Sequence, residues 1–106
     1  LRSFHYAAHT ARSRLSAVRA EDAAHLETWA EIWVDHISRH FLDSYLRAAG
    51  AASFIPHDEG TLNMLLEVFM LEKAVYEVVY EINNRPDWLF IPIRGIRRIL
   101  EGGVRA

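Results

Sequence analysis

The stretch LEKAVYEVVYEINNRPDW, Leu71 to Trp88, decides the fold that we expect for this chain. At 100° per residue, six of its polar or aromatic side chains fall within roughly 140° of one another around a helix. They are Lys73, Tyr76, Glu77, Tyr80, Glu81 and Asn84. Arg85-Pro86 then ends the helix, because the residue before a proline is pushed out of the helical region. The stretch therefore predicts the end of a long helix with one polar and aromatic face.

A surface of carboxylates, amides and aromatic rings has the chemistry that holds a sugar. Hydroxyl groups need acceptors and donors, and the C–H face of a pyranose packs on an aromatic ring. A plainer interpretation stays open beside this one. Glu72, Lys73 and Glu77 can form an ordinary solvated face with ion pairs one turn apart, and the two tyrosines can belong to the core.

Outside this stretch the sequence predicts three more helices and no strand. We expect helices from about Leu1 to Val18, from about Asp22 to Ala49, from near Glu59 to Asn84, and from Pro92 to about Leu100. Gly50 and the Gly102-Gly103 pair are the predicted stops of the second and fourth helices. Helices this long with short connectors favour antiparallel neighbours. The predicted fold is therefore an all-α, four-helix unit with two long antiparallel helices.

Apolar spacing predicts which helix faces are buried. The first helix has a narrow, alanine-rich face formed by Phe4, Ala7, Ala8, Ala11, Leu15 and Val18. The second has a wider face formed by Leu26, Trp29, Ala30, Trp33, Ile37, Phe41, Tyr45 and Leu46. Trp29 and Trp33, one turn apart, are most simply core residues. Trp88 differs, because it follows a turn beside a polar helix end, and for it a binding role is an equal alternative.

Composition limits the classes of function. The 106 residues are one domain's worth, with a formal charge of −2 and no basic run longer than Arg97-Arg98. Nucleic acid is a poor partner for such a chain, because phosphate binding needs clustered lysine and arginine. No apolar run approaches the roughly 20 residues of a membrane span. The sequence contains no cysteine, which fits a reducing compartment, and we expect a cytoplasmic protein.

Motifs for metal binding and catalysis are weak. His5 with His9 and His36 with His40 are each one turn apart, but no local third ligand accompanies either pair. We therefore interpret both pairs as exposed histidines and predict no metal site. No nucleophile elbow or glycine-rich phosphate loop is present. The Glu77 and Glu81 carboxylates favour binding over glycosidase chemistry, which normally needs a far larger scaffold.

Four motifs occur in order: LRSFHYAAHTA, FLDSYLRAAG, LLEVFMLEKAVYEVVYEINNRPDW and IPIRGIRRIL. Together they resemble the C-terminal end of bacterial maltokinases, including those fused behind trehalose synthase. The resemblance covers essentially the whole chain and is strongest from Phe69 to Leu100. The expected organisation is therefore a single C-terminal helical subdomain, residues 1–106, cut from a longer protein.

The resemblance implies a kinase-like enzyme that transfers the γ-phosphate of ATP to the anomeric hydroxyl of maltose, giving maltose 1-phosphate for α-glucan synthesis. ATP and Mg²⁺ belong to the parent enzyme, since these 106 residues contain neither the His-Gly-Asp catalytic loop nor the Asp-Phe-Glu metal motif of that family. The fragment alone is expected to bind neither and to be inactive. The implied wall for maltose or a related glucoside consists of Glu72, Lys73, Tyr76, Glu77, Tyr80, Glu81, Asn84, Arg85 and Trp88. Arg85 can equally pair with Glu81, and Asn83, Arg94 and Gly95 are expected to be structural.

Partners follow from each interpretation. Under the favoured one, the remainder of the kinase lobe covers apolar surface of this piece, and the isolated fragment self-associates. The alternative is a stand-alone helical interaction or dimerisation module without a catalytic role.

Overall fold

The computed structural model describes residues 1–102, without the side chains of residues 16 and 18. This part of the chain is helical apart from short connectors, the longest of which is the non-helical segment 50–58 between the second and third helices. The helices are α1 (Arg2–Val18), α2 (Ala23–Ala49), α3 (Glu59–Asn84) and α4 (Phe90–Leu100). Single 3-10 turns, Ala20–Asp22 and Pro86–Trp88, precede α2 and α4. The predicted all-α, four-helix class is confirmed, since the described residues contain no strand. None of these helices has the length and apolar character needed to cross a membrane.

Local chemistry sets the helix ends. The Asp58 carboxylate caps α3 by accepting a hydrogen bond from the Thr61 amide at 2.7 Å. Gly50 ends α2 with φ of +55°, a conformation that L side chains rarely adopt. α4 begins at Phe90, two residues before the predicted Pro92. Proline is tolerated in this first turn because the N–H groups there have no partner within the helix, so the N–H that proline lacks is not missed. Of the predicted glycine stop, Gly103 lies outside the described residues.

The two long helices do not pack on each other. α1 packs along α2, and α3 packs along α4, while α1 also touches α3 and α4. The Cα atoms of α2 and α3 nowhere come within 8 Å. The molecule measures 47 × 28 × 22 Å with a radius of gyration of 15.3 Å, above the roughly 13 Å of a compact chain of this length. The arrangement is therefore open, and large helix faces remain uncovered.

The apolar core is narrow and does not contain the predicted aromatic residues. α2 buries a stripe one residue wide, Ala30, Val34, Ser38 and Leu42, against its neighbours. Trp29 is 67% exposed, and Trp33, Phe41 and Tyr45 are also exposed, so their assignment to the core is wrong. The Phe4 ring reaches the edges of Trp33 and Phe41, with centroids 6.2 and 5.6 Å away. Alanines of α1 line a groove beside Trp29 and Trp33, but the two indoles stay largely exposed because α3 packs along α4 and not over this side of α2.

The burial pattern of α2 predicts a large loss of stability for one substitution and a small one for another. Leu42→Ala, at a side chain only 5% exposed, should lower the free energy of unfolding by about 2–5 kcal/mol through the cavity it leaves. Trp29→Ala should change the free energy of unfolding by less than about 1 kcal/mol, because the indole is mostly in water. Urea unfolding followed by circular dichroism measures both. A larger loss for Trp29→Ala than for Leu42→Ala would contradict the described packing.

Candidate functional site

Five of the nine predicted sugar-wall residues lie in the open on α3. We call them the α3 outer face: Glu72, Lys73, Tyr76, Tyr80 and Asn84, all exposed. The Tyr76 and Tyr80 rings are nearly parallel, 22° apart, with centroids 6.5 Å apart. The Lys73 ammonium lies 4.6 Å from the centroid of the Tyr76 ring. Together with Phe69, three of the five side chains line a shallow groove of about 350 Å³.

Arg85 and Trp88 extend this surface past the end of α3. The Arg85 guanidinium carbon lies 4.2 Å from the Trp88 ring centroid and 5.5 Å from that of Tyr80. Trp88 is half-buried and also has the Tyr6 ring 6.4 Å away. Cation–π contact of this kind holds the indole and the guanidinium together. One face of Trp88 is thus already in contact with Arg85, whereas Tyr76 and Tyr80 keep more ring surface in water.

The asparagine amides serve the helix end. Asn84 Nδ2 donates to the carbonyl of Tyr80, and Asn83 Nδ2 donates to that of Val79, both at 2.8 Å. A carbonyl oxygen has two lone pairs, so each can accept this side-chain bond in addition to a backbone bond of the helix. The nitrogen of Asn84 is therefore engaged within the chain, although its side chain is exposed.

The Glu77 carboxylate points away from the α3 outer face, into the interior. It is buried and accepts a hydrogen bond from Arg2 Nε at 2.9 Å and a second from the same guanidinium. Arg2 itself is buried on α1 and lies across Gly95 of α4: a Cβ at Gly95 would stand 2.7 Å from the guanidinium carbon. The ion pair thus joins three helices. The expectation that Gly95 is structural agrees with this close approach.

Glu81 is the second inward carboxylate and connects the interior to the outer face. It is 1% exposed and forms a bidentate pair with Arg85, with nitrogen–oxygen distances of 3.0 and 2.8 Å. The Tyr6 hydroxyl of α1 donates to the same carboxylate at 3.0 Å. Burial, and then this hydrogen bond, raise the pKa of Tyr6. Glu81 therefore fixes the guanidinium that lies over Trp88.

A chain of hydrogen bonds continues from Arg2 along α1. The Arg2 guanidinium can only donate, so at 3.3 Å it donates to Nδ1 of His5. His5 then carries its proton on Nε2 and donates to Nε2 of His9 at 3.1 Å. The remaining His9 Nδ1–H has no acceptor among the described protein groups. Both rings are buried, so the expectation that His5 and His9 are exposed is wrong, whereas that for His36 and His40 is confirmed.

Both histidines are held in the neutral form. Burial first, and then the positive charges of Arg2 and other neighbours, lower the pKa of His5 to about 3. Burial followed by the charge of Arg12 lowers the pKa of His9 to about 4, against a smaller opposing effect of Glu27. Sequence reasoning missed this cluster. The available signal was the spacing of Arg2, His5, His9 and Arg12, which places four polar side chains on one helix stripe.

The lowered pKa values predict a loss of stability in acid. The unfolded histidines take up protons near pH 6.5, while the folded ones stay neutral down to about pH 4 and 3. The free energy of unfolding is therefore unaffected by these histidines above pH 6.5. It falls as the pH falls below that value, by about 2 kcal/mol per histidine at pH 5. Urea unfolding at pH 8 and pH 5 measures this difference.

A pair of double variants isolates that effect. The double variant His5→Gln/His9→Gln should remove most of the loss in the free energy of unfolding that the two histidines cause between pH 8 and pH 5. His36→Gln with His40→Gln, on the exposed pair, should leave the dependence intact. Equal pH dependence in both double variants would contradict a neutral, buried His5–His9 pair.

Within residues 1–102, no three histidine, aspartate or glutamate side chains are placed to hold a metal ion together. No family model matches the chain, and no solved structure matches it. The motifs of the sequence and the geometry of α3 are therefore what supports a function.

Proposed function

We propose that this chain is the C-terminal helical part of a maltokinase-type sugar kinase, and that α3 supplies part of the wall that holds maltose or a related glucoside. The parent enzyme would transfer phosphate from ATP to the anomeric hydroxyl in the cytoplasm. The observation that carries the proposal is the pair of exposed, nearly parallel tyrosine rings, Tyr76 and Tyr80, inside the motif that resembles this family. Exposed aromatic rings beside charged groups are typical of surfaces that bind amphipathic ligands.

The nine predicted sugar-wall residues have different proposed roles, depending on whether their side chains face outward or into the interior. The tyrosine rings would pack on the C–H faces of the sugar, while Glu72 accepts and Lys73 donates hydrogen bonds to its hydroxyls. Arg85 and Trp88 would bound the far end of the site. Glu77 and Glu81 already accept bonds from protein donors, so we assign them to positioning this wall.

ATP and Mg²⁺ would bind outside this chain. Phosphoryl transfer depends on metal ions and cations placed around the γ-phosphate, and this sequence contains neither the His-Gly-Asp loop nor the Asp-Phe-Glu motif of the family it resembles. In the parent enzyme the contribution of this chain would be to bind and orient the acceptor sugar. The remainder of the kinase lobe would pack against it.

The test is kinetic and uses the full-length gene product that contains this segment. It should phosphorylate maltose with ATP, and the 106-residue chain alone should not bind Mg·ATP. Tyr76→Ala should lower kcat/KM for maltose roughly ten- to a hundredfold, as expected for about 1–3 kcal/mol of lost sugar contacts. The KM for ATP should hardly change. Tyr76→Phe is the matched control and should keep much of the activity, because it keeps the ring.

Glu77→Gln separates positioning from contact. It should lower the melting temperature, because Arg2 loses its buried carboxylate partner, with a smaller effect on the KM for maltose than Tyr76→Ala. A full-length protein without ATP-dependent phosphorylation of maltose would refute the proposal. So would a Tyr76→Ala variant that melts early with an unchanged KM for maltose.

A second candidate, a helical interaction or dimerisation module, is favoured by exposed apolar stripes. On α3, one stripe consists of Met64, Val68, Val75, Val79 and Ile82, each at least half exposed. It is distinct from the α3 outer face, and its spacing of three, four and seven residues suits packing against another helix. On α2, Trp29, Ile32 and Trp33 form another exposed apolar surface.

These stripes predict self-association of the isolated 106-residue chain. Exposed apolar patches beyond a few hundred Å² favour association, so we expect dimers or larger species in sedimentation at high protein concentration. Val75→Lys should weaken the association by placing a charge in the α3 stripe. Ala51→Lys adds the same charge at an exposed position in the connector after α2 and should not. A clean monomer at high concentration would contradict this expectation.

A further inference from the structure

Residues of all four helices line one small, partly enclosed cavity. About 20 Å³ inside it is open to the centre of a water molecule, more than the roughly 10–15 Å³ that one ordered water needs. Its wall consists of Leu1, Arg2, His5, Val34, Ser38, Met70, Gly95, Arg98 and Ile99. The space is too small for a metabolite, and its wall mixes apolar side chains with polar ones.

The polar group that points to a ligand is the Ser38 hydroxyl. Ser38 is 1% exposed on the buried stripe of α2, and its Oγ has no hydrogen-bond partner among the described protein groups. A buried hydroxyl without a partner loses its hydration and gains nothing in return. A water molecule in the adjoining cavity can donate to Oγ and remove that loss.

The same wall supplies donors for the oxygen of that water. Arg2 and Arg98 both line the cavity, and the Arg2 guanidinium lies beside Gly95 in the same wall; each guanidinium has five N–H donors. Their charges are already balanced, Arg2 by Glu77 and Arg98 by Glu31 and Asp35. A neutral ligand therefore fits this cavity better than an anion, and a cation would meet two guanidinium groups.

We propose that this cavity binds one structural water molecule, which accepts a hydrogen bond from a guanidinium of the wall and donates one to Ser38 Oγ. The water would connect α2 to α1 and α4 at the point where all four helices converge. Apolar cavities of similar size stay dry, but polar ones with two or more partners hold water for long times.

The number of long-lived waters tests the proposal directly. Oxygen-17 relaxation dispersion of the solvent, recorded on the 106-residue chain, should show one long-lived water fewer for Ser38→Val than for the wild type. In valine, one methyl group replaces the hydroxyl and the second projects further into the space that the water would occupy. Ser44→Val, at an exposed serine of the same helix, is the matched control and should keep the water.

The direction in which the melting temperature changes is a second, independent test of the bound water. With a water bound, Ser38→Ala removes its acceptor and should lower the melting temperature by a few degrees. In a dry cavity the same change deletes an unpartnered hydroxyl and should raise it. A raised melting temperature, or an unchanged water count in Ser38→Val, would overturn the proposal. A melting temperature that rises with chloride in the wild type but not in Ser38→Val would identify a bound anion instead and overturn it too.

Discussion

The buried ion pair between Arg2 and Glu77 is the interaction on which the rest of the arrangement depends. It brings α1 against α3, and the guanidinium lies so close to Gly95 that α4 is included in the same contact. Removing one partner of a buried pair leaves an uncompensated charge, which typically costs about 3–5 kcal/mol. A side chain at residue 95 would occupy the place of that guanidinium and displace it from Glu77.

The same chemistry continues to the other helices. Arg94 and Arg98 of α4 pair with Glu27, Glu31 and Asp35 of α2, although the two helix backbones stay apart. Several of these side chains are partly in water, and such pairs are individually weak. The position of α2 therefore depends mainly on its packing along α1. This explains how a chain with a small apolar core keeps four helices together while its aromatic side chains remain exposed.

The interior is also connected to the proposed sugar wall. Glu81 accepts from Tyr6 on the inside and holds Arg85, whose guanidinium lies over Trp88 on the outside. A change at α1 would therefore reach the end of the wall through a single carboxylate. Under the proposed function, this gives Glu77 and Glu81 the task of holding α3 in place, and leaves the contact with the sugar to the exposed tyrosines and their charged neighbours.

The sequence by itself determined the elements: four helices and the stops at Gly50 and Arg85-Pro86. These follow from backbone geometry and short-range hydrogen bonds, which a single segment contains. Tertiary structure alone decided which faces are buried. Trp29 lies in water because α3 packs along α4 and not along α2, and His5 and His9 are buried because Arg2, Phe90 and the other helices surround them. Periodicity identifies a stripe, but the neighbour that covers it comes from a distant part of the chain.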